Sequence, residues 1–316
     1  MNFNQLLYLK ELVYTGNFSE AAENLNISQP ALSAQIKQLE REVELSLIDR
    51  NERPIALTKD GEAFFEISMS ILQRFEALKD LPVELENDIR GELKIGIIPT
   101  LAPYFIPLFI DDLQKNYPEL KITIEELITE DIVLKVRTGH LDAGLISTPI
   151  DVKKLQFRKL FYERFYLYIS SKHKLFEKEE VALDDFEMED LWYLQEGNCF
   201  QNQVNAICTL AGKPKSKQNL AYKSNSIESL RRIVESTKGM TFIPELATLQ
   251  IPSENEEMIK PIKKNQPVRE ISLVFASAFT KKRLIDAFCE QALASLPAYM
   301  KNPPSNWLVD TELKFD

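Results

Sequence analysis

Apolar positions in the first sixty residues recur at helical spacing. Leu6, Leu9 and Val13 share one face, and that helix is expected to stop near Thr15-Gly16-Asn17. Ser19 is the expected N-cap of a second short helix carrying Ala21, Ala22 and Leu25, and Asn26-Ile27 predicts a tight turn. Ser28 then caps a third helix. Pro30 falls in its first turn, where a missing N–H does no harm. Leu32, Ile36, Leu39 and Val43 line the inner face of this helix. Pro30, Ser33, Ala34 and Lys37 face the other way, with Gln29 at the exposed N-terminus.

The pattern changes after residue 60. Phe64, Ile67, Ile71, Phe75 and Leu78 form a one-sided stripe over residues 61–88, ending near Leu81-Pro82. Such a stripe suits pairing with a second helix, and it equally suits a helix packed on its own domain. From Gly91 strand-like and helix-like segments alternate. Leu93–Ile98, Leu120–Leu127 and Leu141–Ser147 read as strands, Leu101–Tyr117 and Asp131–Thr138 as helices. Phe165–Ser170, Leu191–Leu194, Ala221–Lys223 and Met240–Pro244 repeat the strand theme. Glu270–Ala276 and Lys282–Ala298 return to the first part. This alternation predicts an α/β region with a mainly parallel sheet, whose ligands bind beyond the strand carboxyl ends, where Pro99-Thr100 sits. The expected domains are residues 1–60, a linker helix over 61–90, and an α/β domain over 91–316. The last divides into subdomain I (about 91–164 and 265–300) and subdomain II (about 165–264).

Two small helices joined by a tight turn, the second with short polar residues outward, match a helix-turn-helix. The second helix must fit a major groove about 12 Å wide, which Ser, Ala, Gln and Pro do not obstruct. Gln29 can bond base edges and Lys37 can meet phosphate. A three-helix bundle with a small-residue surface would carry the same pattern.

Charge sharpens the question. With 38 Lys+Arg against 48 Asp+Glu the chain carries −10, which taken alone argues against nucleic acid. Residues 1–60 are themselves net negative. Yet Lys37, Arg41, Arg50, Arg53 and Lys59 all lie in the third helix, the segment after it and its exit. Placement rather than sum decides the footprint, and few phosphate contacts per subunit imply reliance on an oligomer. Met1–Lys10 lacks a basic region followed by an apolar run, and no stretch of about 20 apolar residues occurs. The expected location is the cytoplasm, with no membrane partner.

Three cysteines and two histidines bound the chemistry. Cys199 follows a strand-like segment and Asn198, a good N-cap, so it is expected at the first helical position. There the unpaired N–H groups and the helix dipole favour a thiolate. Cys208 follows nine residues later. In one regular helix that is about 13.5 Å of rise, beyond the roughly 7 Å Cα separation a disulfide tolerates. Oxidation to a disulfide would therefore require the helix to unwind. Two buried inert thiols fit the same spacing. Cys289 reads as structural, His140 and His173 as surface loop residues, and no metal or cofactor site is expected. Neither a phosphate loop nor a catalytic triad is evident, so an enzyme is not expected.

Ser28-Gln29-Pro30-Ala31-Leu32-Ser33, then Gln35-Ile36, Leu39-Glu40, Arg50 and Leu57-Thr58, resembles the N-terminal signature of LysR-type transcriptional regulators. Glu44 stands where that family usually has Gly, and Ile48 where Phe is common. The resemblance implies a winged helix-turn-helix whose wing runs from Arg50 to Leu57. It places Ser28, Gln29, Pro30, Ser33, Ala34, Lys37, Arg50 and Arg53 at DNA, and makes the linker helix a dimerisation element. It also implies a two-subdomain effector domain like periplasmic binding proteins.

Gly197-x-Cys199, Cys208, Leu210-Ala211-Gly212 and Pro99-Thr100-x-Ala102-Pro103-Tyr104 resemble the hydrogen-peroxide-sensing branch of that family. By this resemblance Cys199 is the peroxidatic thiol and Cys208 the resolving thiol of a reversible disulfide. Thr100, Thr129, Gly197, Asn198 and Arg269 then surround the peroxide. Asn198 and Ala221 stand where the branch often has His. The implied partners are a double-stranded DNA operator, RNA polymerase, hydrogen peroxide as the signal, and further copies of the chain in a dimer of dimers. The alternative is a LysR-type regulator with redox-inert cysteines, in which Thr100, Ser147 and Thr148 hold a small anionic effector. A thiol peroxidase carrying a DNA-binding module is the third reading.

Overall fold

The computed structural model describes residues 1–85, 89–152, 155–195, 199–210, 212, 222, 224–264, 266–277, 281–303 and 307–315. Helices α1 (Phe3–Thr15), α2 (Phe18–Asn24) and α3 (Gln29–Val43) enclose Leu6, Leu9, Leu12, Ala21, Leu32, Ile36 and Leu39. Asn2 and Gln5 form a capping box at the start of α1, and Gly16 ends it in the left-handed conformation. The N-cap of α2 is Asn17 rather than Ser19. Its Oδ1 accepts from the N–H groups of Ser19 and Glu20, because the helix begins at Phe18. Strands β1 (Ile48–Asp49) and β2 (Ala56–Leu57) pair antiparallel and hold the wing between them.

Helix α4 (Lys59–Leu85) follows the wing directly. Most of the expected stripe is not the face that packs on its own domain. Phe65, Met69 and Leu72 join the N-terminal core, whereas Ile67 (65% exposed), Ile71 (43%), Phe75 (42%) and Leu78 (67%) face outward.

The second core lies around a seven-stranded sheet. Strand β3 (Gly91–Ile97) leads to α5 (Ala102–Phe105), α6 (Ile110–Asn116), β4 (Leu120–Glu126), α7 (Thr129–Arg137), β5 (Ala143–Thr148), β6 (Asp151–Val152) and β7 (Leu155–Ile169). Then come α8 (Cys199–Leu210), α9 (Ile227–Ser236), β8 (Met240–Pro244), α10 (Glu245–Thr248), β9 (Ile259–Pro261), β10 (Val268–Ala276), α11 (Lys282–Ala294) and β11 (Lys314–Phe315). The single helix expected over Leu101–Tyr117 is broken by a 3-10 turn at Ile106–Leu108. Pro107 there lacks the N–H that a continuous helix needs.

The sheet is less parallel than expected. β3 runs parallel to β4 and β5, but β10 pairs antiparallel with both β5 and β7, and β7 pairs antiparallel with β8 and β9. The reason is β7. Instead of a strand starting at Phe165, one 15-residue strand runs from the first half, where it pairs with β10, into the second, where it pairs with β8. Leu191 contributes only an isolated bridge to Met240, and the strand expected at Ala221–Lys223 falls largely outside the described residues. Among the described residues, no helix is long and apolar enough to cross a membrane, and no three His, Cys, Asp or Glu side chains are grouped to hold a metal ion.

Both histidines lie in loops, as expected, but neither is a free surface side chain. His173 is buried, with Nε2 3.1 Å from Asp190 Oδ2 and Nδ1 accepting from the Leu175 N–H. His140 Nε2 lies 3.1 Å from Glu11 Oε2, and its ring stacks on Tyr14 at 3.9 Å, joining α1 to the second domain. Each ring has a carboxylate partner, which lets His173 leave water while His140 stays half-buried.

Candidate functional site

Two sites are assembled. The first is the outer face of α3. Ser28 Oγ accepts from the Ala31 N–H at 3.3 Å and sets the start of the helix. Gln29, Pro30, Ala34 and Lys37 are exposed, and Ser33 is half-buried. Arg53 is exposed in the wing. Arg50 is held differently. Its Nη2 donates to Glu40 Oε2 at 3.0 Å, and its guanidinium lies over the Phe18 ring at 5.3 Å. The other Glu40 oxygen, Oε1, accepts from the N–H groups of Leu47 and Ile48 at 2.9 and 3.2 Å. Glu40 thus ties the recognition helix to the base of the wing. Sequence reasoning quoted Glu40 as part of a motif without finding this role. Its spacing from Arg50 was the available signal.

The second site surrounds Cys199, the first residue of α8. Cys199 and Cys208 are both buried at 1% exposure, and neither is disulfide-bonded. They are nine positions apart in one unbroken helix, which puts about 13.5 Å of helical rise between them. Burial pushes the Cys199 thiol up. The Thr129 hydroxyl, the Arg269 guanidinium and the backbone N–H groups of Ser147 and Phe200 all pull the other way without winning. Desolvation of the assembled core thus outweighs the helix start at this thiol.

Arg269 and Thr129 both act on the Cys199 thiol, and Arg269 holds Thr100. Arg269 Nη1 donates to Thr100 Oγ1 at 2.9 Å and Nη2 to the Thr100 carbonyl at 3.0 Å. Its guanidinium lies 5.1 Å from the Phe200 ring centre, beside Cys199. Thr129 Oγ1, at the start of α7, is buried and has no conventional hydrogen-bond partner among the described residues. The Cys199 thiol is its polar neighbour. Gly197 and Asn198 lie outside the described residues.

Ser147 and Thr148 are occupied elsewhere. Ser147 Oγ donates to Gln203 Oε1 on α8 (3.2 Å) or to the Glu270 carbonyl (3.3 Å). Thr148 Oγ1 lies 2.7 Å from both Glu270 Oε1 and Ser272 Oγ. Gln203, missed in the sequence, also donates through Nε2 to the Val309 carbonyl at 2.9 Å, so it fastens α8 midway between the two cysteines. Cys289 is buried on α11, its thiol pushed up to about 11 by burial.

Known proteins match both domains. Residues 3–62 match the bacterial regulatory helix-turn-helix protein, lysR family, and residues 86–297 match the LysR substrate binding domain. The chain is 30% identical over 275 residues to the hydrogen peroxide-inducible genes activator of Haemophilus influenzae, covering 87% of this chain and 90% of that protein. It is also 30% identical to the DNA-binding transcriptional dual regulator OxyR of Escherichia coli, covering 87% and 89%. Full-length OxyR of Pseudomonas aeruginosa, with its cysteine changed to aspartate, superposes with a TM-score of 0.73 at 26% identity, over 96% of this chain and 99% of that one. The chain belongs to the LysR family of bacterial helix-turn-helix regulators.

Proposed function

We propose that this protein is a hydrogen-peroxide-responsive, DNA-binding transcription regulator switched by Cys199. The observation that carries the reading is the constellation at the start of α8. A buried thiol sits among the Thr129 hydroxyl, two backbone N–H groups and the Arg269 guanidinium, which in turn holds Thr100.

The chemistry balances without a cofactor. The Cys199 thiolate attacks one peroxide oxygen, the O–O bond breaks, and the departing hydroxide takes a proton to leave as water. Cys199 becomes a sulfenic acid. The Cys208 thiolate then attacks the Cys199 sulfur and displaces the hydroxyl as a second water, forming a disulfide. Since α8 is regular from Cys199 to Leu210, the second step requires it to unwind and to release the Gln203 bonds to Ser147 and Val309. That backbone change is the signal to the DNA-binding domain.

DNA is met by Ser28, Gln29, Pro30, Ser33, Ala34 and Lys37 on α3 and by Arg53 of the wing, with Arg50 supporting the wing through Glu40. The exposed stripe of α4 pairs with a second copy, and two such dimers bind one double-stranded operator in the cytoplasm, where RNA polymerase reads the outcome. The internal commitments of Ser147 and Thr148 weigh against an anionic effector in the crevice.

Peptide mapping tests the reading. Mild peroxide should convert reduced chain to a Cys199–Cys208 disulfide, and Cys199→Ser should abolish the response without abolishing operator binding. Cys208→Ser should stop at the sulfenic acid. Thiols that stay reduced under peroxide, in a chain that answers to an organic ligand, would overturn it. Peroxide consumption far beyond one equivalent would favour a peroxidase.

A further inference from the structure

Arg269 on β10 and Glu163 on β7 are direct cross-strand partners, and both side chains are completely buried. Glu163 Oε1 accepts from Arg269 Nε at 2.9 Å and lies 2.7 Å from Nη2. Its Oε2 accepts from the backbone N–H of Leu246 at 3.1 Å. Burial pushes the Glu163 carboxyl up, opposed by Arg269 and by that N–H. Three donors converge on the carboxylate, the arrangement an ionised acid requires.

A guanidinium is a flat fork, so holding one edge aims the other. With Nε and Nη2 drawn to Glu163, the Nη1 and Nη2 protons on the far side reach Thr100 Oγ1 and the Thr100 carbonyl. The Phe200 ring limits rotation out of that plane. Because Thr100 Oγ1 accepts from Arg269, its own proton is left for a different acceptor. Buried ion pairs of this kind contribute little net stability, so stability alone does not account for placing one here.

We propose that Glu163 is a positioning residue for the peroxide reaction of Cys199, acting by clamping Arg269 edge-on to Thr100. The inference rests on the peroxide reading above. Glu163 also offsets the positive charge that Arg269 presents to the thiol. Removing it therefore has two opposed effects at Cys199. The thiolate is better favoured by a charge no longer neutralised, but the donors that meet the peroxide oxygens are no longer aimed. A residue needed only for packing would not separate these effects.

The test uses the full chain with Cys208→Ser, so that reaction stops at the sulfenic acid. The rate of sulfenic acid formation is followed against peroxide concentration. The Cys199 thiolate is titrated by its ultraviolet absorbance, taken as the difference from Cys199→Ser. Glu163→Gln should lower the peroxide rate constant by on the order of 10- to 100-fold, the scale of a misaimed reacting group. Its thiolate titration should stay in place or move to lower pH. In an Arg269→Met background the same change should add nothing, since the two act as one unit. Should Glu163→Gln fold poorly, Glu163→Asp keeps the charge but withdraws from the fork, and the rate should still fall. A wild-type rate in either folded variant, or a loss explained wholly by fewer thiolates, overturns the proposal. A parent chain that alkylates normally but ignores peroxide overturns the reading beneath it instead.

Discussion

Glu40 Oε2 accepts from Arg50 Nη2 at 3.0 Å across the junction between the recognition helix and the wing. Because Oε1 also accepts from the Leu47 and Ile48 N–H groups, one carboxylate sets where β1 begins. Glu40→Ala should destabilise the N-terminal domain by about 1–3 kcal/mol, leaving buried donors unsatisfied. Operator affinity should fall with it although Glu40 does not face DNA. Thermal melting and fluorescence anisotropy on labelled operator check this, and unchanged melting with unchanged affinity would count against it.

Glu44 ends α3 with φ +55°, in the left-handed region where a side chain is strained. Glu44→Gly should stabilise the domain by about 1 kcal/mol, the order of the left-handed penalty for an L-residue. A lower melting temperature would refute it.

Gly61 permits a close approach. A Cβ there would overlap the Leu47 carbonyl, which is backbone and cannot rotate away. Gly61→Ala should destabilise by roughly 1–3 kcal/mol through forced backbone shifts between α4 and the wing. Circular dichroism melts of the two forms decide it.

The exposed stripe of α4 should govern assembly. Ile71→Glu and Leu78→Glu are each expected to shift the chain to a smaller species in light scattering. They should weaken operator binding by about 100-fold or more, the scale at which linked half-sites reinforce each other. An unchanged mass would place the interface elsewhere.

The thiols make a pH prediction. Burial raises Cys199 above the ordinary thiol value of about 8.5. Its alkylation and peroxide rates should therefore keep rising with pH above neutrality, and a plateau already at neutral pH would show a resting thiolate. Stability runs the other way. The folded chain keeps protons that the unfolded chain releases, so stability is full below the unfolded thiol value and declines as pH rises toward the folded one, which for Cys289 is about 11. Denaturant midpoints measured across that alkaline window should fall, less steeply in Cys289→Ala.

The sequence by itself determined the local elements and the chemistry they could carry. Helical spacing of Leu32, Ile36 and Leu39 fixes which face of α3 is outward, and the break before Cys199 locates a helix start, because both follow from neighbours a few residues apart. It also set a cluster of cations, Lys37 and Arg53 among them, apart from an overall negative chain. What needed tertiary structure was everything set by distant partners. β7 runs through both halves because its two ends pair with β10 and β8, contacts as far apart in sequence as Leu155 and Ala276. His173 is buried because Asp190 meets it, and Arg50 turns inward because Glu40 does. The Cys199 thiol is raised, not lowered, because burial is a property of the assembled core and outweighs the local helix start. Glu163 could not be read from the chain at all. Its role exists only once cross-strand pairing sets it opposite Arg269 and hydrogen bonding carries that fork to Thr100.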